Sequence, residues 1–548
     1  MSTQSKATPG SIPGDGDLLP VLVVGGGPAG LSAALELGHR GIRVALIERQ
    51  ERAGWSPRAK TTHVRSVEHM RRWGIADALR AASPLPADYP TDIVFLTRLD
   101  GYELAHFRNA FCGDRTRDER FSESAQWIPQ YKVEGVLRDA LAELPNVSLH
   151  FGIEFLGLED DGETVRVTAR REGGEPFDIR ARYVIGADGP RSAVRQALGI
   201  GTERESGLGR HLNIILQSAA LSRLRPDKRA IMYWITNPAS PSVLAPMDAG
   251  DLWAFLTNLG PDETSLPREE IARRLATAVG REVDFEILTL DFWVAARMNA
   301  QSYGRGRVWL TGDAVHTHPP FGGYGMNMGI ADSVDIGWKI AATLQGWGGP
   351  NLVPSYEPER TPVHERVMDE AVKNHAILSH HFADPVLDVP GAAGDAARAA
   401  VGDRIRATKA NEFHTLGIVL GLHYGGSPLV VPDGTEPPAV TTTYVPSAAP
   451  GCLAPHAWLA DGSSLYDHFG QGFTLLVLTD GREAEVEKAR RTADDMGIPL
   501  VVFAPDDARL RGLYEADLAL IRPDQYVAWR GSSMQDAAAI FARVTGRG

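Results

Sequence analysis

The first half of the chain alternates short apolar runs with stretches of helical composition. Residues 19–24 are apolar and stop at Gly25, residues 29–39 have helical composition, and residues 43–47 form a second, largely apolar run closed by Glu48. Apolar runs without alternation, bounded by turn glycines, predict strands buried on both faces. Strand, turn, helix and strand in that order predict a parallel sheet with a right-handed crossover. Helices are predicted near residues 67–82 and 133–144, and strands over 147–155, 164–170 and 177–185.

The pattern changes between residues 211 and 292. Aromatic and β-branched runs at 213–217, 231–235, 252–256 and 283–294 predict an antiparallel sheet, suited to form one wall of a substrate chamber. His211, Tyr233 and Trp253 lie on or beside these runs and are the candidate substrate contacts. Residues 307–310 predict a return to the first sheet, followed by a helix over 327–344. The Ala/Gly-rich stretch 392–400 reads as helix or linker, and the Pro-, Thr- and Gly-dense stretch 432–450 as a domain boundary. Beyond it, strands at 474–478, 500–503, 518–521 and 526–529, with helices at 484–496 and at the end, give β-α-β-β-β-α. That order resembles a thioredoxin-like domain, but one without Cys-x-x-Cys, so redox exchange there is not expected.

The expected fold class is α/β: a Rossmann-like dinucleotide-binding domain, an inserted antiparallel β-sheet domain and a C-terminal thioredoxin-like domain. The expected division is a disordered leader over 1–17, the first part of the dinucleotide domain over 18–200 with about 90–125 belonging to the inserted sheet, that sheet over 201–295, the second part and a helical linker over 296–431, and the last domain over 432–548.

A length of 548 residues is too great for one core. The net charge of −13, without a dense Lys/Arg run, argues against non-specific binding to nucleic acid or an anionic membrane. No apolar run approaches the roughly eighteen residues of a membrane span, and the first seventeen residues lack the apolar core of a signal peptide. Only two cysteines, Cys112 and Cys452, exclude a disulfide scaffold and a Cys-rich metal site. No metal is expected, and the location expected is cytoplasmic.

Three turns carry the candidate chemistry. In Gly25-Gly26-Gly27-Pro28-Ala29-Gly30 the first glycine makes the turn, Gly27 lets the backbone meet a pyrophosphate, and Gly30 allows close helix packing. The helix that follows points unpaired N–H groups and a partial positive charge at the phosphates. Glu48 stands where an acid binds ribose hydroxyls and disfavours a 2′-phosphate, as FAD or NAD requires. Asp188-Gly189 follows a strand and precedes Ser192 and Arg195; alone it would be an ordinary turn with a helix cap. Gly312-Asp313 leads into Pro319-Pro320-Phe321-Gly322-Gly323-Tyr324-Gly325-Met326-Asn327, a loop that opens a helix. Asp313 can accept hydrogen bonds from sugar or ribityl hydroxyls, and the loop's N–H groups can stabilise a developing negative charge. Three such turns in this order look like a chain folding round one long dinucleotide, most plausibly FAD.

These segments resemble the class A flavoprotein aromatic hydroxylases, the single-component type of para-hydroxybenzoate and phenol hydroxylase, over residues 19 to about 385. The last domain places the resemblance in the phenol, hydroxyphenylpropionate and polyketide hydroxylase branch. Gly312-Asp313-Ala314-Val315-His316 departs from the usual pattern only at Val315. The resemblance implies that Gly25, Gly27, Gly30 and Glu48 hold the adenosine half, that Arg58 lies by the flavin and pyrophosphate, and that Gln130 contacts the ribityl region. It implies that Asp188 serves FAD and a transient nicotinamide cofactor, that Asp313, Gly325, Met326 and Asn327 close round the isoalloxazine, and that the backbone of Pro319 and Pro320 sits by the reacting edge. Lys60, two residues beyond Arg58, stands where some phenol hydroxylases carry an acid near the substrate hydroxyl; a lysine there could stabilise a phenolate, or instead pair with pyrophosphate or face solvent. His63 and His211 are further candidate bases.

The activity implied is hydroxylation of a phenolic compound with NADH or NADPH and O₂, through a flavin C4a-hydroperoxide on non-covalent FAD. The expected partners are a small aromatic substrate and O₂, with no nucleic acid, no membrane and a homodimer left open. A flavoprotein that modifies a polyketide or antibiotic, by hydroxylation or Baeyer–Villiger insertion, is the enzymatic alternative. A flavin halogenase lacks its Trp-x-Trp-x-Ile-Pro segment here. A non-catalytic flavin-binding scaffold is the alternative from outside enzymology.

Overall fold

The computed structural model describes residues 17–51, 59–224 and 228–548. Its first sheet has a parallel centre ordered Val308–Leu310, Pro176–Gly186, Leu18–Val24, Val44–Glu48 and Val147–Phe151. Val165–Arg171 joins antiparallel to Pro176–Gly186, and Ile153–Asp160 antiparallel to Val165–Arg171. The central strands are buried on both faces, and helices Pro28–His39 and Tyr324–Leu344 pack against each other over them. Gly30 permits the crossing of the first helix over its own turn: a Cβ there would lie 2.0 Å from the Gly25 carbonyl oxygen.

Two predicted elements are broken where glycine takes positive φ. The helix expected over 67–82 is two, Val64–Arg72 and Ala76–Ala82. Gly74 at φ +76° turns the chain, with Gly74 N–H on Arg71 and Ile75 N–H on Met70, a Schellman ending. The strand expected over 147–155 bends at Gly152, φ +70°, into Val147–Phe151 and Ile153–Asp160. The stretch expected as helix or linker is one long helix, Ala392–Phe413.

The second sheet has eight strands: His316–Thr317, Glu286–Ala300, Thr202–Gln217, Leu252–Asn258, Ser242–Pro246, Met232–Ile235, Ile93–Leu96 and Glu103–Phe107. All neighbours are antiparallel except Met232–Ile235 with Ile93–Leu96. One face packs on helix Arg268–Val279 through Leu212, Ile214, Leu216, Phe255 and Leu275. The other turns towards the loop that begins helix Tyr324–Leu344.

The C-terminal sheet runs Leu500–Phe503, Phe473–Val477, Leu518–Ile521, Val527–Gly531, the first pair parallel and the others antiparallel. Helices Glu483–Asp495, Arg509–Tyr514 and Ala537–Val544 make the order β-α-β-α-β-β-α, one helix more than the sequence pattern predicts. Its core is continuous with Trp338, Ala342 and Trp347, at the far end of helix Tyr324–Leu344. Cys112 and Cys452 are free thiols, and burial raises both above the usual thiol range, Cys452 to about 11. Among the described residues no helix is long and apolar enough to cross a membrane.

Candidate functional site

The first glycine turn is built for a phosphate. Gly25, at φ +114°, could carry no side chain, because a Cβ would lie 2.3 Å from the Ala187 carbonyl oxygen. Gly26 N–H donates to Glu48 Oε2 at 2.7 Å, and Gln50 N–H to Glu48 Oε1 at 2.9 Å. Each carboxylate oxygen keeps a lone pair for a ribose hydroxyl. Gly27 differs from its neighbours: a Cβ there would meet no atom within 4 Å. The protein itself has no steric need for glycine at that position, so the open space ahead of the helix fits a pyrophosphate held by backbone N–H groups.

At the second turn the Asp188 carboxylate is occupied. Ser192 Oγ donates to it at 2.5 Å, Ala193 N–H at 2.7 Å and Val194 N–H at 3.1 Å, so its side chain caps the short helix Ala193–Ala197. At the third turn Gly312, φ +62°, sits against Gly329 of the long helix, and Asp313 is exposed. The Gly312 N–H is held at 3.1 Å by Asp332, a fully buried carboxylate on that helix.

The loop into helix Tyr324–Leu344 is clamped from both sides. Gly322 and Gly323 take positive φ, and Pro320 is exposed with its carbonyl accepting from Gly323 N–H at 3.1 Å. Asn327 accepts from His63 N–H at 2.8 Å and donates to the carbonyls of Thr61 at 2.9 Å and Gly323 at 2.7 Å. His63 Nε2 closes the clamp on the Gly322 carbonyl at 2.8 Å, and burial lowers this imidazole to about 4. His63 is therefore neutral near pH 7, and its Nε2 ties the loop. Gly325 and Met326 are half-buried on the first helical turn.

Lys60 and Gln130 flank this loop from the short ribbon of Thr61–Thr62 with Gln126–Trp127. Gln130 is the first residue of helix Gln130–Ala142, three residues earlier than the pattern predicts, and its side chain holds Ala59 N–H at 3.3 Å and Glu134 at 2.9 Å. Lys60 is half-buried with no ion pair among the described residues, and desolvation lowers its amine to about 8. Arg58 lies outside the described residues. Thr62 Oγ1, His63 Nδ1 and Tyr324 Oη are buried here with no hydrogen-bond partner among the described residues.

Beside the loop is a shallow cleft between the second sheet and Phe321. His211, Trp234, Val243, Leu256 and Asn258 line it from the sheet. His211 bonds Asn258 at 3.0 Å and His375 at 3.3 Å, stacks on Trp293 at 4.2 Å, and is lowered by burial to about 4. Trp234 is buried with its indole N–H unpartnered. Two expected substrate contacts are overturned. Tyr233 and Trp253 point to the opposite face, into the core with helix Arg268–Val279. Tyr233 Oη bonds the Lys228 carbonyl at 2.8 Å, and Trp253 Nε1 bonds Ser222 at 3.0 Å. Adjacent strand residues face opposite ways, so Trp234 faces the cleft where Tyr233 was expected.

The sequence reading also missed Phe321, His375 and Lys409. Lys409 is buried with its ammonium 4.6 Å from the Trp234 ring centroid, paired with Glu412 and bonded to the Asn374 and Ile377 carbonyls. A lysine in the Ala-rich helix reads as surface, and only the tertiary fold places it behind the cleft.

Comparisons with known proteins agree with this geometry. A family model described as FAD binding domain matches residues 19–371, and one described as aromatic-ring hydroxylase, C-terminal, matches residues 447–547. The chain is 32% identical to the FAD-dependent monooxygenase apdD of Emericella nidulans, covering 96% of this chain and 90% of the relative. It is 30% identical to aklavinone 12-hydroxylase RdmE of Streptomyces purpurascens, over 93% of this chain and 95% of that one. The structure of the flavin-dependent monooxygenase PieE, in complex with FAD and substrate, superposes with a TM-score of 0.88 at 30% identity, over 98% and 100% of the two chains. Glycine turns shaped for a dinucleotide, a clamped loop beside an aromatic cleft and these matches lead to one conclusion: the chain belongs to the family of FAD-dependent monooxygenases that hydroxylate aromatic and polyketide compounds.

Proposed function

We propose that the chain hydroxylates a multi-ring phenolic substrate, using NADH or NADPH and O₂. The observation that carries this is the position of Phe321: it belongs to the loop that ends on the long helix, and it also walls the cleft faced by His211 and Trp234. A ring in that cleft would lie against the loop that meets the cofactor. Bound FAD supplies the acceptance of hydride and the activation of oxygen.

The chain's own residues bind, orient and exclude water. Gly25, Gly27, Gly30 and Glu48 would hold the adenosine half, with Asp188 and Gln130 fixing the backbone around the middle of the dinucleotide. Asp313 would accept from ribityl hydroxyls, and Gly325, Met326 and Asn327, with the Pro320 backbone, would form the wall at the ring. Lys60, charged below about pH 8, would draw the substrate's hydroxyl towards phenolate, since a positive charge nearby favours the ionised form. The enclosing aromatic walls exclude water. Two relatives at 32% and 30% identity are named a putative polyketide hydroxylase and an aklavinone 12-hydroxylase, and these names support the polyketide class.

The test is stopped-flow reduction of the bound flavin by NADH and by NADPH, across single-ring phenols, phenolic acids and polycyclic polyketides. Acceleration by polycyclic phenols, with a product heavier by one oxygen, is expected. Reduction and hydroxylation confined to single-ring phenols would overturn the substrate class, and peroxide as the sole product with every compound would overturn the activity.

A further inference from the structure

The turn Arg522–Gln525, between the last two strands of the C-terminal sheet, penetrates deeply into the rest of the molecule. Arg522 is fully buried and grips Glu359 with both arms, at 2.6 and 2.9 Å. It also bonds Asp524 at 2.8 and 3.0 Å. Lys339 joins Glu359 at 2.6 Å and Asp335 at 3.0 Å, and Trp338 Nε1 reaches Asp524 at 3.3 Å. Three helices of the cofactor-binding unit thus converge on one turn: Val64–Arg72, Tyr324–Leu344 and Tyr356–His375.

Two short paths lead from the turn to the cofactor site. Arg65 donates to the Asp524 carbonyl at 2.7 Å and to Gln525 Oε1 at 2.6 Å. Arg65 lies two residues from His63, which ties Gly322 and Asn327. On the second path Glu359 is followed by Arg360, whose Nε donates to Asp332 at 2.8 Å; Asp332 in turn holds the Gly312 N–H. The side-chain links are buried, charge-assisted hydrogen bonds, the kind that loses most when one partner is removed; Arg65 with His63 and Glu359 with Arg360 are joined by the helix backbone itself.

We propose that the C-terminal domain positions the FAD site through the turn Arg522–Gln525, with Arg522 as the principal positioning residue. This rests on the assignment of Gly312–Asn327 to the cofactor. The domain then acts as a brace on the Gly312 turn and the Gly322 loop, which accounts for a thioredoxin-like order with no redox cysteine pair.

The test uses the full chain stripped of FAD and titrated with FAD by flavin fluorescence. The variants are Arg522→Met, Arg522→Lys and, as a control, Leu510→Ala. Leu510 is buried wholly within the C-terminal core and touches none of the three helices' ion pairs. All three variants should lower the apoprotein's melting temperature. Arg522→Met should weaken FAD binding by about tenfold, the usual size of coupling between distant sites, with an altered visible flavin band, and Leu510→Ala should leave FAD binding at the wild-type level. Arg522→Lys should recover part of the affinity, because it keeps the charge without the two-armed grip. If Arg522→Met does not fold, Arg522→Lys against Leu510→Ala makes the same comparison. FAD affinity and flavin spectrum equal to wild type in the Arg522 variants, despite a lowered melting temperature, would overturn the proposal. Failure of the wild-type chain to bind FAD would instead refute the cofactor assignment itself.

Discussion

Single residues divide the labour at this site between those that shape the backbone and those that carry charge. Gly25 and Gly30 are glycines because the protein would clash with itself, whereas Gly27 leaves open space. Gly27→Val should therefore leave the apoprotein's melting temperature near wild type while weakening FAD binding by about a hundredfold or more, roughly 2.7 kcal/mol; apoprotein calorimetry and flavin titration check both. Equal loss of stability and affinity would show that Gly27 serves packing. Lys60 makes a different prediction. Its folded-state pKa of about 8 lies below the usual lysine value, so the charged amine is disfavoured on folding. The penalty is present at neutral pH and is relieved as pH rises from about 8 towards 10.5. Lys60→Met should remove that rise in stability with pH. It should also slow hydroxylation, shift its pH dependence upward and increase peroxide release, with FAD content unchanged. A matching pH profile would make Lys60 a bystander, and lost FAD would make it a pyrophosphate partner.

At the scale of elements, the loop before helix Tyr324–Leu344 owes its shape to Asn327 and His63. Asn327→Leu removes three hydrogen bonds and strands the His63 N–H and Thr61 carbonyl in a buried setting. A cost of about 2–4 kcal/mol follows from unmatched buried groups, and FAD affinity should fall with it; urea unfolding with and without FAD measures both. The elements were largely legible in the sequence where backbone geometry dictates composition. Glycine turns, apolar central strands and most of the C-terminal order leave local signals; the short helix Arg509–Tyr514, between the second and third strands of that domain, is one the pattern does not predict. The facing of the second sheet leaves none. Leu212, Ile214 and Leu216 face helix Arg268–Val279 while Ile215 and Trp234 face the other core, so both faces are apolar and the alternation that would separate Tyr233 from Trp234 is erased. The Asp188 carboxylate caps the helix that follows it, the local role that an Asp-Gly turn signals in sequence.

Across the whole molecule, the hidden feature is the ionic network between the units. Asp335, Lys339, Glu359 and Arg522 read as surface charges in sequence, because their partners lie up to 187 positions away. Burial pushes the Asp335 carboxyl up to about 7, despite Lys339 and Arg522 beside it, while Arg522 and Lys339 overcome burial and hold Glu359 down to about 2. An acid whose folded pKa is raised contributes stability below its unfolded value, and that contribution is lost as pH rises through the folded pKa. Asp335 therefore favours folding at acid pH and ceases to do so above about pH 7. Asp335→Asn should flatten the fall in melting temperature between about pH 4 and pH 7; an unchanged slope would mean that Asp335 does not titrate in that window.

The most direct measurement of the activity is turnover under ¹⁸O₂, with NADH or NADPH and the phenol that most accelerates flavin reduction. One ¹⁸O atom in the product, no label from water, and one reduced nicotinamide consumed per product are expected. A product carrying oxygen from water, or O₂ recovered entirely as peroxide, would contradict the assignment of this chain as a monooxygenase.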